Sequence, residues 1–118
     1  MKHLFVPYEL ALLAKEKGFN EPCLRYYNVG HNKDAPIRLS MFKNEQMGSV
    51  SAPLYQQLVD WLETTHRVLI VRFPYTSGKH KWDIWHWVNT SGDDGKWEAY
   101  KIHIETLNKA LEEAFKLI

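Results

Sequence analysis

The sequence predicts an α+β fold: a single domain over residues 1–118, with helices layered on one antiparallel sheet as a two-layer sandwich. Three observations lead there. Three segments repeat apolar residues at steps of three and four, the helical period. The segments between them are short, rich in aromatic and β-branched residues, and alternate or run apolar in the manner of strands. These strand segments follow one another through short connections, which favours antiparallel neighbours. The expected order is α-β-β-α-β-β-α, with four strands in the sheet and a fifth if "KWEAYKI" is extended.

The first helix is expected over about Pro7 to Lys17, with proline at a first helical position, where its missing N–H costs nothing. Leu10, Leu13 and Ala14 form its apolar face, and Glu9, Glu16 and Lys17 are polar. Gly18 suits a left-handed helix ending, with Phe19 folding back as in a Schellman motif. Two strands follow, Cys23 to Val29 and Ile37 to Phe42, around the turn-rich "GHNKDAP". Gly48 to Ser51 reads as a break. The second helix is expected over Ala52 to His66, capped by Ser51, with Pro53 in its first turn and Leu54, Leu58, Trp61 and Leu62 at helical spacing. "VLIVRF", Val68 to Phe73, is a strand that pairs as a hairpin with "KHKWDIWHWVN", Lys79 to Asn89. "TSGDDGK" is a loop. The last helix is expected from Ile104 at the latest, with the stripe Ile104, Leu107, Leu111, Ala114 and Ile118; its start falls between Lys96 and His103 if Trp97 and Tyr100 extend the stripe.

Composition bounds the function. At 118 residues the chain can bury roughly 65% of its unfolded surface. A net charge of +1 gives no global pull toward nucleic acid or an anionic membrane. One cysteine, Cys23, leaves no internal disulfide and fits a reducing compartment. The N-terminus lacks the apolar region of a signal peptide, being broken by Pro7 and Glu9, and no apolar run approaches the roughly 20 residues of a membrane span. The expected location is the cytoplasm, without membrane contact.

Three segments, "PYELALLAKEKGFNEPC", "SAPLYQQLVDWLETTH" and "ETLNKALEEAFKLI", together about 45 residues, resemble a family of small uncharacterised proteins encoded by bacteriophages and prophages of gut bacteria. The resemblance implies a phage or prophage origin, hence the cytoplasm of a host cell, and a stand-alone domain. It brings no activity and no catalytic residue. Read from their residues alone, the same segments are helices with core-facing stripes.

The densest functional signal is "KHKWDIWHWVN", which holds three of the five tryptophans. As a strand it directs Trp82, Ile84, His86 and Val88 to one side and Asp83, Trp85, Trp87 and Asn89 to the other. The bland reading is a core strand covered on both faces. An aromatic surface is the functional reading: Trp82, Trp85 and Trp87 with Arg25, Arg38, Arg72, Lys79 and Lys81 as cations. Tryptophan and arginine anchor protein interfaces, so the leading expectation is a non-enzymatic binding protein whose partner is another protein or a second copy. Next comes single-stranded nucleic acid, whose bases stack on such rings for roughly 1–3 kcal/mol each; a neutral chain without an RNA-binding motif weighs against it. A small hydrolase is third, with Cys23 the formal nucleophile and no serine or phosphate-loop motif present. Glu112 and Glu113 read as the polar side of a helix. No cofactor or metal is expected. His80 and His86 sit about 20 Å apart along a strand, His31, His66 and His103 are scattered, and Asp93 and Asp94 suit a turn.

Overall fold

A computed structural model describes residues 4–28, 37–42, 49–74, 80–89 and 95–118, with backbone alone at 28, 37–42 and 49. Within them the elements run α1 (Tyr8–Glu16), β1 (Cys23–Asn28), β2 (Ile37–Phe42), β3 (Ser49–Ala52), α2 (Tyr55–His66), β4 (Val68–Pro74), β5 (His80–Val88), β6 (Lys96–Ile104) and α3 (Leu107–Phe115). The fold is α+β. Where one sheet of four or five strands is expected, the strands form two antiparallel sheets of three, in the orders β2-β1-β3 and β4-β5-β6. The order is therefore α-β-β-β-α-β-β-β-α. Strand alternation tells which side a residue faces and not which strand lies beside it, so the grouping is invisible to the period. The chain divides into two compact units, Met1–Leu58 and Val59–Ile118, with the division inside α2.

In the first unit, α1 ends as its sequence dictates. Gly18 takes φ +93, its N–H donates to the Lys15 carbonyl at 3.1 Å, and the Phe19 N–H donates to Ala14 at 2.9 Å. These are the two bonds of a Schellman motif, and they seat Phe19 in the core. Pro7 is the N-cap rather than a helical residue. Leu10, Ala11 and Ala14 are buried, and α1 packs against β3. Ser51 is not the cap of α2. It lies in β3 opposite Tyr26 of β1, wholly buried. A non-local ladder has taken a segment whose serine, alanine and proline looked like a helix start, and α2 begins at Tyr55 instead.

In the second unit β4 and β5 form the expected hairpin in unbroken register, Val68 opposite His86 through Pro74 opposite His80. "KWEAYKI" is extended and belongs to β6, so α3 starts only at Leu107. Thr106 caps it, its hydroxyl accepting from the Lys109 N–H at 3.1 Å. The β5–β6 register shifts twice, on either side of Ile84, and β6 includes His103 at φ 60. The Asp83 carboxylate accepts the His103 N–H at 3.0 Å there. Helix α3 packs on this sheet, over Val68, Ile70 and Ile84, which are buried. That face is the inner one.

Candidate functional site

The unbroken β4–β5 ladder fixes which side chains share a face. Ile84 is fully buried, opposite Ile70. By alternation, Trp82 and His86 share the inner face with it, and Trp85 and Trp87 project from the outer one. The eight residues singled out from the sequence therefore separate. Trp82 and Arg72 are cross-strand partners on the inner side, where the Arg72 guanidinium lies 3.0 Å from His80 Nδ1. Trp85, Trp87 and Lys81 are on the outer side. Arg25 and Arg38 belong to the other sheet, opposite each other, and the Arg25 guanidinium covers the Phe5 ring at 5.1 Å. Lys79, Asp93 and Asp94 lie outside the described residues.

The outer face is built in rows across the three strands. Trp87 is opposite Trp97, their rings edge to face with centroids 5.5 Å apart. Arg67, just before β4, completes this row. Its carbonyl accepts the Trp87 N–H at 3.1 Å, and its guanidinium stands 5.4 Å from the centre of the Trp87 ring. Arg67 holds φ 54, a left-handed conformation that few non-glycine residues adopt. The next row is Leu69, Trp85 and Ala99. Beyond it Val71 is opposite Asp83, with Ile102 reaching this side by alternation from Lys101, the partner of Ile84. Phe73 and Lys81 close the face.

Trp87 is held in place. Its indole N–H donates to the Asn89 side-chain oxygen at 2.9 Å, so the ring has its polar partner. Gly95, at φ +95, brings the chain back against this pair, and a Cβ there would overlap the Trp87 indole nitrogen and the Asn89 oxygen. Trp97, Phe73 and Ile102 are 37%, 49% and 53% exposed, and Trp85, Trp87, Leu69 and Val71 are half-buried. Arg67 and Trp97 are the members that the sequence reading omitted. The alternation of "KWEAYKI" was the available signal for Trp97. Arg67 has no local signal, because its role depends on the β4–β5 pairing.

Two other groups have perturbed chemistry. Glu113 is buried on α3, not on its polar side. It receives Lys101 of β6 at 2.9 Å and its helical neighbours Lys116 at 3.1 Å and Lys109 at 3.7 Å. Hydrogen bonds from Lys101 and Lys116 hold its pKa down to about 2. The signal was its place three residues after Ala110, at the margin of the apolar stripe. Cys23 is buried against the Glu21 carbonyl at 3.4 Å and the Gln57 side chain at 3.7 Å. Burial pushes its pKa up to about 11, so at neutral pH it is a thiol and a poor nucleophile. Among the described residues no three of His, Cys, Asp and Glu are grouped as metal ligands, and no helix is long and apolar enough to cross a membrane.

No protein-family model, curated protein or solved structure matches this chain.

Proposed function

We propose that this chain is a non-enzymatic accessory protein of a phage or prophage that works in the host cytoplasm by binding protein, a second copy included, through the outer face of the β4-β5-β6 sheet. One observation carries the reading: a partly exposed face on which Trp85, Trp87, Trp97, Phe73, Leu69, Val71 and Ile102 outnumber the charges Arg67, Lys81 and Asp83. Interface centres have this composition, aromatic and poor in charge with arginine retained. The phage origin rests on the resemblance of the three helical segments alone.

Nucleic acid is the other reading, favoured by one feature, a guanidinium stacked on Trp87 beside a second indole. Against it, the aliphatic residues of the face give bases nothing to stack on, and Asp83 repels phosphate.

A capture experiment tests the proposal. Tagged wild-type chain, exposed to host lysate containing an untagged copy, should retain a protein that tagged Trp85→Ala chain loses while still unfolding cooperatively. Equal capture by both chains sinks the proposal. So does quenching of tryptophan emission by a pyrimidine oligonucleotide whose affinity falls steeply with salt, the signature of phosphate contacts.

A further inference from the structure

We infer that the outer face of the β4-β5-β6 sheet is the interface of a twofold-symmetric dimer, Trp85 packing on Trp85 of the second copy. This rests on the protein-binding reading above and names the partner. An isologous interface requires each patch to be complementary to itself. Let a twofold axis run parallel to the sheet just above its outer face, across the strands, over the row Leu69, Trp85 and Ala99. Each of these three then meets its own copy. The row on one side of the axis, Arg67, Trp87 and Trp97, falls on the row from the other side, Val71, Asp83 and Ile102.

Both size and charge match under that operation. Two indoles and a guanidinium meet a valine, an aspartate and an isoleucine, so the bulky row faces the slim one, as interdigitating layers require. The cation held over Trp87 comes to the carboxylate of Asp83 on the other copy, and the contact occurs twice. Facing sheets pack with their strands about 30° apart, a crossing that keeps Trp85 on the axis and leaves Leu69 and Ala99 beside their own copies. An acidic peptide or a nucleic acid strand would meet Asp83 unpaired. A second copy supplies the arginine.

The test is a charge exchange read by light scattering on a sizing column, over concentrations up to the high micromolar range. Wild type should reach twice the 13.9 kDa chain mass. Arg67→Glu alone and Asp83→Lys alone should each remain at 13.9 kDa, because each sets like charges together at both contacts. Mixing the two variants should restore the dimer, since every contact then pairs opposite charges. Asp83 also accepts the His103 N–H, so Ala99→Arg provides a second probe: its exposed side chain on the axis sets two arginines against each other and should give monomer. A monomeric wild type overturns the inference, as do dimeric single variants, a mixture that stays monomeric, or a dimeric Ala99→Arg chain. If wild type is monomeric yet captures a lysate protein that Trp85→Ala loses, the dimer fails and the protein-binding function stands. If both are absent, both fail.

Discussion

In the first unit Phe5, Phe19 and Tyr27 are at most 7% exposed, and Tyr27 donates its hydroxyl to the Val6 carbonyl at 2.8 Å. In the second, Trp85, Trp87 and Trp97 stand on the outer side of a sheet whose buried inner residues, Val68, Ile70 and Ile84, are aliphatic, and Trp97 is 37% exposed. The first unit buries these three rings and encloses the neutral Ser51 and Cys23. The second buries Trp61 and Phe115 together with its aliphatic residues and one carboxylate, Glu113, but leaves the three rings of its outer sheet face partly in water. Large apolar surface left outside costs solubility, so the difference separates rings that hold the fold from rings available to a partner.

The largest effect expected from that difference is on stability. Phe19→Ala removes a ring that is 1% exposed and should cost roughly 3–5 kcal/mol, the range for emptying a phenylalanine site in a core. Trp85→Ala removes more atoms, yet at low concentration it should cost only about 1 kcal/mol, because its ring already contacts water. Urea unfolding of the two variants decides it. Equal losses would show that Trp85 is core in the monomer and would remove the basis of the interface.

Acid and base should act on the two units through different groups. Burial raises Cys23 to about 11 and Tyr27 to about 12. Their neutral forms are favoured by folding, so this stability is present below the unfolded values, about 8.5 and 10, and is lost as pH climbs through 11 and 12. Glu113 is shifted the other way. Its contribution is present above about pH 4.3 and is lost as pH falls through about 2. Lys101, its partner, is raised by the same hydrogen bond and loses its share only at the alkaline end. Melting temperature against pH should therefore show a flatter acid limb in Glu113→Gln and a flatter alkaline limb in Cys23→Ala. An unchanged acid limb in Glu113→Gln would mean that the buried carboxylate adds nothing to folding.

What the sequence disclosed, and what it hid, follows the range of the interaction concerned. The Schellman ending at Gly18 needs only neighbours within one turn, and it was readable. The split of Trp82 from Trp85 and Trp87 follows from alternation along one strand, and so was it. β3 was hidden because "SVSA" is four small residues whose only reason to be extended is the edge of β1. Ser51 made the helix signal stronger than the strand signal until Tyr26 is placed opposite it. Glu113 looked like the twin of Glu112 because its charge is matched by Lys101, twelve residues earlier and on another element. Arg67 joins the candidate face through a carbonyl bonded to a strand twenty residues away. The missing information is in each case the identity of a partner, which no local period contains.

The smallest effects expected come from two glycines that end equivalent local problems in different surroundings. Gly18 and Gly95 have φ +93 and +95, so alanine is strained at both by about 1–2 kcal/mol. At Gly18 an added Cβ meets nothing within 4 Å, and the strain is the whole cost. At Gly95 the Cβ lands on the Trp87 indole nitrogen and the Asn89 oxygen. Alanine there must also displace the ring and break the Nε1–H bond to Asn89, adding about 1 kcal/mol. Gly95→Ala should thus cost more than Gly18→Ala in urea unfolding, and it alone should shift tryptophan emission and weaken self-association. The second readout matters more than the first. If Gly95→Ala moves Trp87 and leaves association intact, the guanidinium-on-indole row is not what a partner touches. If Gly18→Ala weakens association as much as Gly95→Ala does, the loss follows from instability of the chain and not from the position of Trp87.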